Sequence, residues 1–519
     1  MQGKPYAGNP HIAPSQCHGG TSRFDEGDVA SVATPRRGFP LTRREFLEFN
    51  ALFGVAAFAG CTTGSAVCGW GGKGALMQGF RCAPIKRVRI AVAGMGGRGT
   101  SAMYRLAQIP GCSITGLCDL RQSRIDVGNA WLKAHRLPAA KGYVGPEAYK
   151  ALCEADDVDV VYVAGSWQMH EKVGIRAVRS GKHTFVEVPA AMTLDGCWDF
   201  VESAEKAKVH CMMLENCCYG EEELLALNLC RKGLLGDLVH GEAAYIHDLR
   251  ASCYNDPEGE PGDPKRGYYQ HWRLMWNKDH KGNQYPTHGL GPVCQYLNVN
   301  RGDRLDCLCS METDQFNFER YARERFGADD WHAKVKVQMG DMNSTVIRTV
   351  KGKTILVQHD VSSPRPYSRL NLISGTRGIL KGYPLQFGFT DKPGAHVSFF
   401  SDDRAKAMME KYRHPLVKTA GDLAKTVGGH GGMDYLMDLR WVYCLQNGLP
   451  LDMDVYDLAT WSSVCELTEQ SVRGRKYIDV PDFTRGGWKT AEPLGIVDMD
   501  LTKMDFRTPV KAAEGQMSV

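Results

Sequence analysis

Gly94-Met95-Gly96-Gly97-Arg98-Gly99 follows an apolar run over residues 88–93 and precedes a helical pattern from Thr100 to Ala107. In a strand–turn–helix unit each of the three spaced glycines has its own role. The first permits the tight turn, the second lets the backbone approach a pyrophosphate, and the third lets the helix pack against the strand. Free N–H groups at the helix start favour phosphate. We therefore predict that Gly94, Gly96, Gly97, Arg98 and Gly99 bind a dinucleotide.

A carboxylate follows the next predicted strand. Ser113 to Leu117 is apolar and ends in Cys118-Asp119, so Asp119 lies 20 residues past Gly99. A carboxylate at this place accepts hydrogen bonds from an adenosine ribose and repels a 2′-phosphate. The predicted cofactor is therefore NAD rather than NADP.

The amino-acid composition limits the classes to which this protein can belong. The chain has 519 residues, of which 43% are hydrophobic and 24% charged, with a net charge of +4. These values are ordinary for a soluble globular protein with two or three domains. The small net charge gives no reason to expect nucleic acid or a membrane surface as a partner.

The N-terminal region resembles an export signal. Thr42-Arg43-Arg44-Glu45-Phe46-Leu47 precedes an apolar stretch, Ala51 to Ala59, as in addresses that the twin-arginine export machinery reads. The alternative is an ordinary basic helix start. Phe58-Ala59-Gly60-Cys61 also resembles a lipoprotein cleavage box with Cys61 as the lipidated residue. We expect an exported protein, periplasmic or at the cell surface.

Pattern changes along the chain predict its organisation. The predicted class is α/β, with an N-terminal doubly wound Rossmann sheet and a C-terminal α+β domain that has a large open mixed or antiparallel sheet. The predicted segments are a disordered leader with the signal (1–61), a linker (62–85), an NAD-binding domain (86–216), a substrate domain (217–507) and a tail (508–519).

Polar residues follow the later strands of the first domain. We predict three strands in this region, Val158–Ala164, His183–Val188 and His210–Leu214. At or just after their carboxyl ends lie the candidate cofactor contacts, which are Trp167, His170, Glu187, Val188 and Asn216. Ligands of doubly wound sheets bind outside the carboxyl ends of the strands. We expect these side chains beside the nicotinamide.

The sequence pattern changes in the second half of the chain. Val239–His247 is a predicted strand, and residues 251–284 are a predicted long functional loop. Alternation predicts three further strands, Lys334–Met339, Ser344–Thr349 and Thr354–His359. Predicted helices are Glu221–Lys232, Asp434–Asn447 and Val455–Arg473.

These motifs resemble the Gfo/Idh/MocA oxidoreductase superfamily and, within it, the NAD-dependent α-N-acetylgalactosaminidases. The resemblance covers roughly residues 40–490. It rests on the glycine turn and on the runs Leu214-Glu215-Asn216-Cys217-Cys218-Tyr219, Tyr245-Ile246-His247-Asp248, His271-Trp272-Arg273, Tyr285-Pro286-Thr287-His288-Gly289-Leu290-Gly291-Pro292 and Ser363-Pro364-Arg365-Pro366-Tyr367.

Two departures separate the chain from the superfamily's dehydrogenases. These usually carry Glu-Lys-Pro, whose lysine helps to move the hydroxyl proton, whereas Val188 stands at that position here. They also tend to carry Asp-x-Gly-x-His, where this chain has Thr287-His288-Gly289-Leu290-Gly291. The glycosidase branch shares both departures, which favours hydrolysis.

The resemblance implies an oxidation–elimination route. NAD⁺ takes hydride from C3 of the sugar, a base removes the acidified C2 proton, and the enolate expels the aglycone from C1. Water then adds at C1 and the hydride returns, so the net redox change is zero and the anomeric configuration is retained. The implied substrates are glycans with terminal α-linked N-acetylgalactosamine.

The resemblance also implies residue roles. His288 is the first candidate for proton transfer, because imidazole accepts and donates near pH 7. Tyr245 and Tyr285 are further catalytic candidates, with Tyr285 also near the cofactor. Predicted substrate contacts are Tyr245, Arg273, Tyr285, Pro286, Thr287, His288 and Tyr367. The structural alternatives are a turn hydrogen bond for His288, aromatic packing for the tyrosines and a surface ion pair for Arg273.

Other classes of function are weighed against this one. His247-Asp248 and His359-Asp360 are suggestive pairs, but no spaced His/Cys set predicts a closed metal site, so we expect no metal. An NAD-dependent sugar dehydrogenase and a non-catalytic sugar-binding protein that retains NAD are the alternatives. We also consider that copies of this chain assemble into a homo-oligomer.

Overall fold

The computed structural model describes residues 77–255, 267–392 and 394–506. The predicted leader with Arg43, Arg44 and Cys61 lies outside the described residues, as do most of the predicted linker and all of the predicted tail. Among the helices of the described ranges, none is both long enough and apolar enough to cross a bilayer.

The first sheet has six parallel strands in the order β3-β2-β1-β4-β5-β6. They are β1 (Val88–Ala93), β2 (Cys112–Asp119), β3 (Lys141–Val144), β4 (Val160–Val163), β5 (His183–Val186) and β6 (Cys211–Met213). Between them run α1 (Gly97–Leu106), α2 (Gln122–Ala134), α3 (Ala148–Glu154), α4 (Trp167–Arg179) and α5 (Leu194–Ala207). The central strands are almost wholly buried and apolar because helices cover both faces. The predicted doubly wound sheet is confirmed.

The second sheet has eight strands in the order β13-β12-β11-β7-β10-β9-β8-β14. They are β7 (Leu238–Ile246), β8 (Leu305–Glu312), β9 (Asn343–Thr349), β10 (Thr354–Asp360), β11 (Leu372–Gly375), β12 (Gly378–Lys381), β13 (Gln386–Phe389) and β14 (Ile478–Asp479). β7 and β10 pair parallel, and the other neighbours pair antiparallel. The predicted mixed sheet is confirmed.

The remaining helices pack around and between the sheets. They are α6 (Glu221–Arg231), α7 (Arg250–Tyr254), α8 (Trp272–Asp279), α9 (Thr287–Leu297), α10 (Asn317–Phe326), α11 (Trp331–Lys334), α12 (Asp402–Tyr412), α13 (Pro415–Val427), α14 (Met433–Asn447) and α15 (Val455–Gly474). α14 returns to the first sheet, where Trp441 stacks on Phe185 of β5 at 4.1 Å between ring centroids. Arg105 of α1 and Asp438 of α14 form a fully buried ion pair at 2.9 Å.

Two local predictions in the second half are wrong. Lys334–Met339 forms no strand: Lys334 ends α11, and the N–H groups of Gln338 and Met339 donate to carbonyls at the end of α8. Its alternation reflects one-sided burial of Val337 and Met339. The predicted loop 251–284 contains most of α7 and all of α8. His288 lies in the first turn of α9.

α9 packs closely on β7 because glycine faces the strand. A Cβ atom on Gly289 would lie 2.3 Å from the backbone nitrogen of Ala244 and 2.7 Å from its oxygen. A Cβ atom on Gly291 would lie 2.9 Å from Cγ of Glu215. Distances below 3.0 Å exclude a larger side chain unless the backbone shifts. This packing places His288 beside Tyr245.

Gly289→Ala is expected to push α9 away from β7. Overpacking of this kind costs about 1–3 kcal/mol, so the midpoint of urea unfolding should fall. Gly495→Ala is the control, because its added Cβ atom would meet nothing within 4 Å. Equal midpoints for the two variants would show that α9 tolerates the methyl group.

Buried histidines make the free energy of unfolding depend on pH. Burial lowers the pKa of His183 and His414 to about 4 and that of His210 and His359 to about 3, from an unfolded value of 6.5. The unfolded chain therefore binds more protons between these values, and stability falls as the pH drops from 6.5 towards 3.

His359→Phe should flatten this dependence. The slope of unfolding free energy against pH between 6 and 4 should decrease by up to ~1.4 kcal/mol per pH unit, the value of one proton. Urea unfolding at several pH values measures it. His396→Phe, which removes an exposed histidine, serves as the control. A slope that stays the same in His359→Phe would contradict the assignment.

Candidate active site

A cleft of about 850 Å³ lies at the carboxyl ends of the first sheet and beside β7. Its walls combine polar and aromatic side chains from both halves of the chain. The lining residues are Arg98, Ala164, Gly165, Trp167, His170, Glu187, Val188, Asn216, Tyr245, His247, Tyr268, Trp272, Arg273, Tyr285, His288, Tyr367, His430 and Met433.

The glycine turn has the shape that a pyrophosphate requires. Gly94 has φ +95°, and a Cβ atom there would lie 2.6 Å from the nitrogen of Gly165. A Cβ atom on Gly99 would lie 1.8 Å from the oxygen of Gly94. Gly96 precedes α1 with no capping side chain, and a Cβ atom there would meet nothing within 4 Å. The N–H groups of Gly97 and Arg98 therefore begin a helix whose end is open to phosphate.

Asp119 ends β2 beside this turn. One carboxylate oxygen accepts from the N–H of Met95 at 2.8 Å, and the other accepts from the N–H of Arg121 at 3.0 Å. These bonds hold the carboxylate next to the turn, at the predicted ribose position. The turn and Asp119 together fit the adenosine and pyrophosphate parts of NAD.

Arg98 joins the turn to the rest of the cleft. Its Nε donates to Glu187 at 2.6 Å, and its Nη1 donates to Asp434 of α14 at 2.5 Å. Glu187 also accepts from the hydroxyl of Tyr162 at 2.8 Å. Glu187 is thus occupied by protein donors, and the cofactor loop is tied to α14.

Asp434 is a functional-site residue that sequence reasoning missed. It accepts from Nδ2 of Asn216 at 2.5 Å and lies 2.8 Å from Nδ1 of His430. Burial opposes its charge, but Arg98, His430 and Arg105 hold its pKa well below the usual value. It is therefore an ionised carboxylate that gathers Arg98 and Asn216 at one end of the cleft.

Three predicted cofactor contacts lie beside the loops after β4 and β5. The ring nitrogens of His170 lie 2.7 Å from the carbonyl of Pro189 and 3.0 Å from that of Gly165, so His170 braces the loops after β4 and β5. Burial lowers its pKa although these carbonyls raise it. Trp167 and Val188 are buried and line the cleft.

His288 is oriented by a buried carboxylate. Its Nδ1 lies 2.7 Å from Oε1 of Glu215, which is fully buried. Burial raises the pKa of Glu215, but His288 and the hydrogen bonds around it keep the net value below normal. With Nδ1–H donating to this carboxylate, Nε2 is the unprotonated nitrogen of neutral His288. It lies 3.4 Å from the hydroxyl of Tyr285.

Three tyrosines and a second histidine complete this wall. Burial raises the pKa values of Tyr245, Tyr285 and Tyr367, so their hydroxyls are protonated. The Tyr245 hydroxyl lies 3.0 Å from Nδ1 of His247. Burial and the charge of Arg273 lower the pKa of His247 to about 4, so it is neutral at pH 7. From the sequence alone His247 is only a candidate metal ligand, and its pairing with Tyr245 comes from the structure.

Arg273 is a buried cation with unused donors. It is 5% exposed, and one nitrogen donates to the Tyr268 hydroxyl at 2.9 Å. Among the described residues, its Nε and Nη2 are buried without a hydrogen-bond partner, and the guanidinium forms no ion pair. Its guanidinium lies 4.7 Å from the ring centre of Trp167 and 4.8 Å from that of Tyr285. Its surroundings are aromatic, unlike those of a surface ion pair.

Two predicted substrate contacts lie behind the cleft. Pro286 and Thr287 are buried, and neither is part of the cleft lining in the described chain. They begin α9 and so place His288.

One group of side chains could bring metal ligands together. Ligand atoms of Glu215, Cys217 and His288 lie within 4.8 Å of one another. Burial raises the pKa of the Cys217 thiol well above its usual value, which disfavours the thiolate that metals bind. The absence of a resident metal stays a prediction.

Comparisons with known proteins agree with this site. Residues 88–215 match the oxidoreductase family with an NAD-binding Rossmann fold, and residues 219–490 match the glycosyl hydrolase 109 C-terminal domain. The predicted NAD cofactor is confirmed. A levoglucosan dehydrogenase structure in complex with NADH and levoglucosan has a TM-score of 0.56 and 16% identity, covering 76% of this chain and 100% of its own. At that identity it shows the fold alone.

Curated relatives match most of the chain. An alpha-N-acetylgalactosaminidase of Bacteroides fragilis is 45% identical over 407 residues, which cover 78% of this chain and 94% of the relative. A glycosyl hydrolase family 109 protein of Shewanella pealeana is 42% identical over 462 residues, covering 88% and 99%. The glycine turn, the NAD-binding sheet and the histidine–tyrosine–arginine cleft thus lie in a chain that belongs to the glycosyl hydrolase 109 family.

Proposed function

We propose that this protein hydrolyses terminal α-linked N-acetylgalactosamine by oxidation, elimination, hydration and reduction, with retention of configuration. The observation that carries the proposal is Arg273, which has two N–H donors buried in an aromatic cleft without a partner among the described residues. Isolated buried charge is costly. Oxygen that becomes negative during a reaction supplies the missing partner, and such donors stabilise it strongly.

The carboxylates of the cleft do not suit direct displacement. Ordinary glycosidases place two carboxyl groups on either side of the scissile bond. Among the described residues that line this cleft, Glu187 is the one carboxylate, and it already accepts from Arg98 and Tyr162. An elimination route needs a base and an oxyanion site instead.

Proton transfer is assigned to His288. Its Nε2 faces the cleft, and Glu215 behind it stabilises the imidazolium that forms when Nε2 takes the proton from C2. Arg273 holds the oxygen on C3 while it carries enolate charge. Tyr245 and His247 form a second hydrogen-bonded pair that can exchange protons with sugar hydroxyls.

The cofactor would lie along the glycine turn, with Asp119 at one end and Arg98, Glu187 and Asn216 at the other. Bound NAD⁺ supplies a hydride acceptor at the sugar and returns the hydride at the end of the cycle. Val188 stands where a lysine would move the hydroxyl proton in a simple dehydrogenase, which favours a route with no net oxidation.

A labelling experiment tests the route. The purified protein should hydrolyse methyl α-N-acetylgalactosaminide without added NAD, and product formed in D₂O should carry deuterium at C2. NADH accumulation would indicate a dehydrogenase, and binding without turnover a sugar-binding protein. If solvent label is missing and a C2-deuterated substrate reacts at the same rate as the protiated one, the elimination route is wrong.

Arg273→Lys tests the oxyanion assignment within this route. A lysine keeps the charge but loses the planar fork, so kcat/KM should fall by ~10²–10³ while copurifying NAD stays constant. Arg320→Lys is the control, because Arg320 is exposed and pairs only with Glu324 among described residues. Unchanged turnover in Arg273→Lys would remove that residue from the chemistry.

We further propose export by the twin-arginine machinery, because Arg43-Arg44 precede an apolar stretch. Changing both to Lys should leave active enzyme in the cytoplasm, as cell fractionation with an activity assay would show. The matched control changes Arg36 and Arg37 to Lys, because this upstream pair is followed by Gly38-Phe39-Pro40, with proline where the proposed signal has Leu47. Secretion at the wild-type level after the change at Arg43 and Arg44 would contradict the signal assignment.

A further inference from the structure

We propose that a second pocket beside the cleft binds the sugar to which N-acetylgalactosamine is linked, and that this sugar is a neutral pyranose. The proposal rests on the proposed function, whose bond cleavage leaves an aglycone next to C1. The pocket has a volume of about 1040 Å³. Its lining comes from α6, α13, the turn between β12 and β13, and the start of α14.

The two pockets adjoin. His430 and Met433 line both of them. Tyr367 of the cleft and Tyr383 of the second pocket are in edge contact, with ring centroids 5.9 Å apart. Arg369, which lines the second pocket, donates to the Tyr367 hydroxyl at 3.1 Å. A substrate longer than one sugar can therefore extend from one pocket into the other.

The charges of the second pocket favour a neutral ligand. Three glutamates, Glu221 to Glu223, face two side-chain cations, Arg369 and Lys425. Arg369 pairs with Glu223 at 2.6 Å. Glu221 is shared by Lys425 at 2.8 Å and by Arg413, which lies outside the lining, at 3.1 Å. Glu222 forms no ion pair within the described chain, and these three carboxylates balance the three cations. An anionic sugar would meet Glu222 while Arg369 and Lys425 are already paired.

The remaining groups suit a pyranose. Its hydroxyls can donate to Glu222, and its C–H face can pack on the ring of Tyr383 or on Leu385. Leu385 is partly exposed, so a larger side chain there can grow into the pocket. Neither Glu222 nor Leu385 lines the cleft that holds the reacting sugar.

The test compares two substrates of the NAD-loaded enzyme: N-acetylgalactosamine α-linked to galactose, and the methyl α-glycoside. Leu385→Trp should lower kcat/KM for the disaccharide by tenfold or more and leave the methyl glycoside within twofold. Glu222→Gln should lower the disaccharide value by about threefold to tenfold, as expected for one hydrogen bond to a charged group. Glu324→Gln, an exposed carboxylate elsewhere, should change neither substrate.

The proposal is overturned if both variants affect the two substrates equally or affect neither. An aglycone that carries a carboxylate should be cleaved more slowly than galactoside by wild type, and that difference should shrink in Glu222→Gln. If neither glycoside is hydrolysed, the proposed function fails, and calorimetric binding still tests the pocket. Tighter binding of the disaccharide than of the methyl glycoside, lost in Leu385→Trp, supports it; equal affinities refute it.

Discussion

The contact of α9 with β7 at Gly289 determines the geometry of the cleft. Because no Cβ atom separates the helix from Ala244, His288 on one element lies beside Tyr245 on the other, with ring centroids 5.5 Å apart. Gly291, one half-turn later, lets Glu215 come close behind the same helix. A single close approach thus sets the positions of the His288 imidazole, the carboxylate behind it and a phenol. Catalytic groups need this kind of support to hold their positions to within fractions of an ångström.

Arg273 lowers the stability of the folded protein, and its proposed role as an oxyanion site would explain why it is there. No carboxylate of the described residues pairs with this buried guanidinium, which is unfavourable, and its aromatic neighbours compensate only in part through cation–π contacts. Burial lowers the pKa values of His247 and His359, and the charge of Arg273 lowers them further, so both rings are neutral. The residue that we propose as the oxyanion site therefore also helps to keep the imidazole beside it neutral.

Local patterns predicted the first half of the fold well and the second half less well. Strands such as Val160–Val163 are apolar on both faces, as buried parallel strands are. The spacing of Gly94, Gly96 and Gly99 after such a strand is typical of a dinucleotide-binding turn. Lys334–Met339 was wrongly predicted as a strand, because alternation indicates which side chains are buried but not whether a neighbouring strand is there to pair with. Asp434 and His247 could not be assigned from local sequence, since their roles depend on contacts with segments such as Arg98, 336 residues away from Asp434.

The connection between the two halves follows from α14. Its Asp434 pairs with Arg98 of the glycine turn. Its Asp438 pairs with Arg105 of α1, the helix that begins at that turn. Both carboxylates are buried, so separating α14 from α1 would expose unpaired charge on each side. The glycine turn of the NAD-binding sheet is therefore fastened to the half of the chain that carries α14. Such a fixed turn suits the proposed route, in which the cofactor would be reoxidised in place and the two halves would not need to open between turnovers.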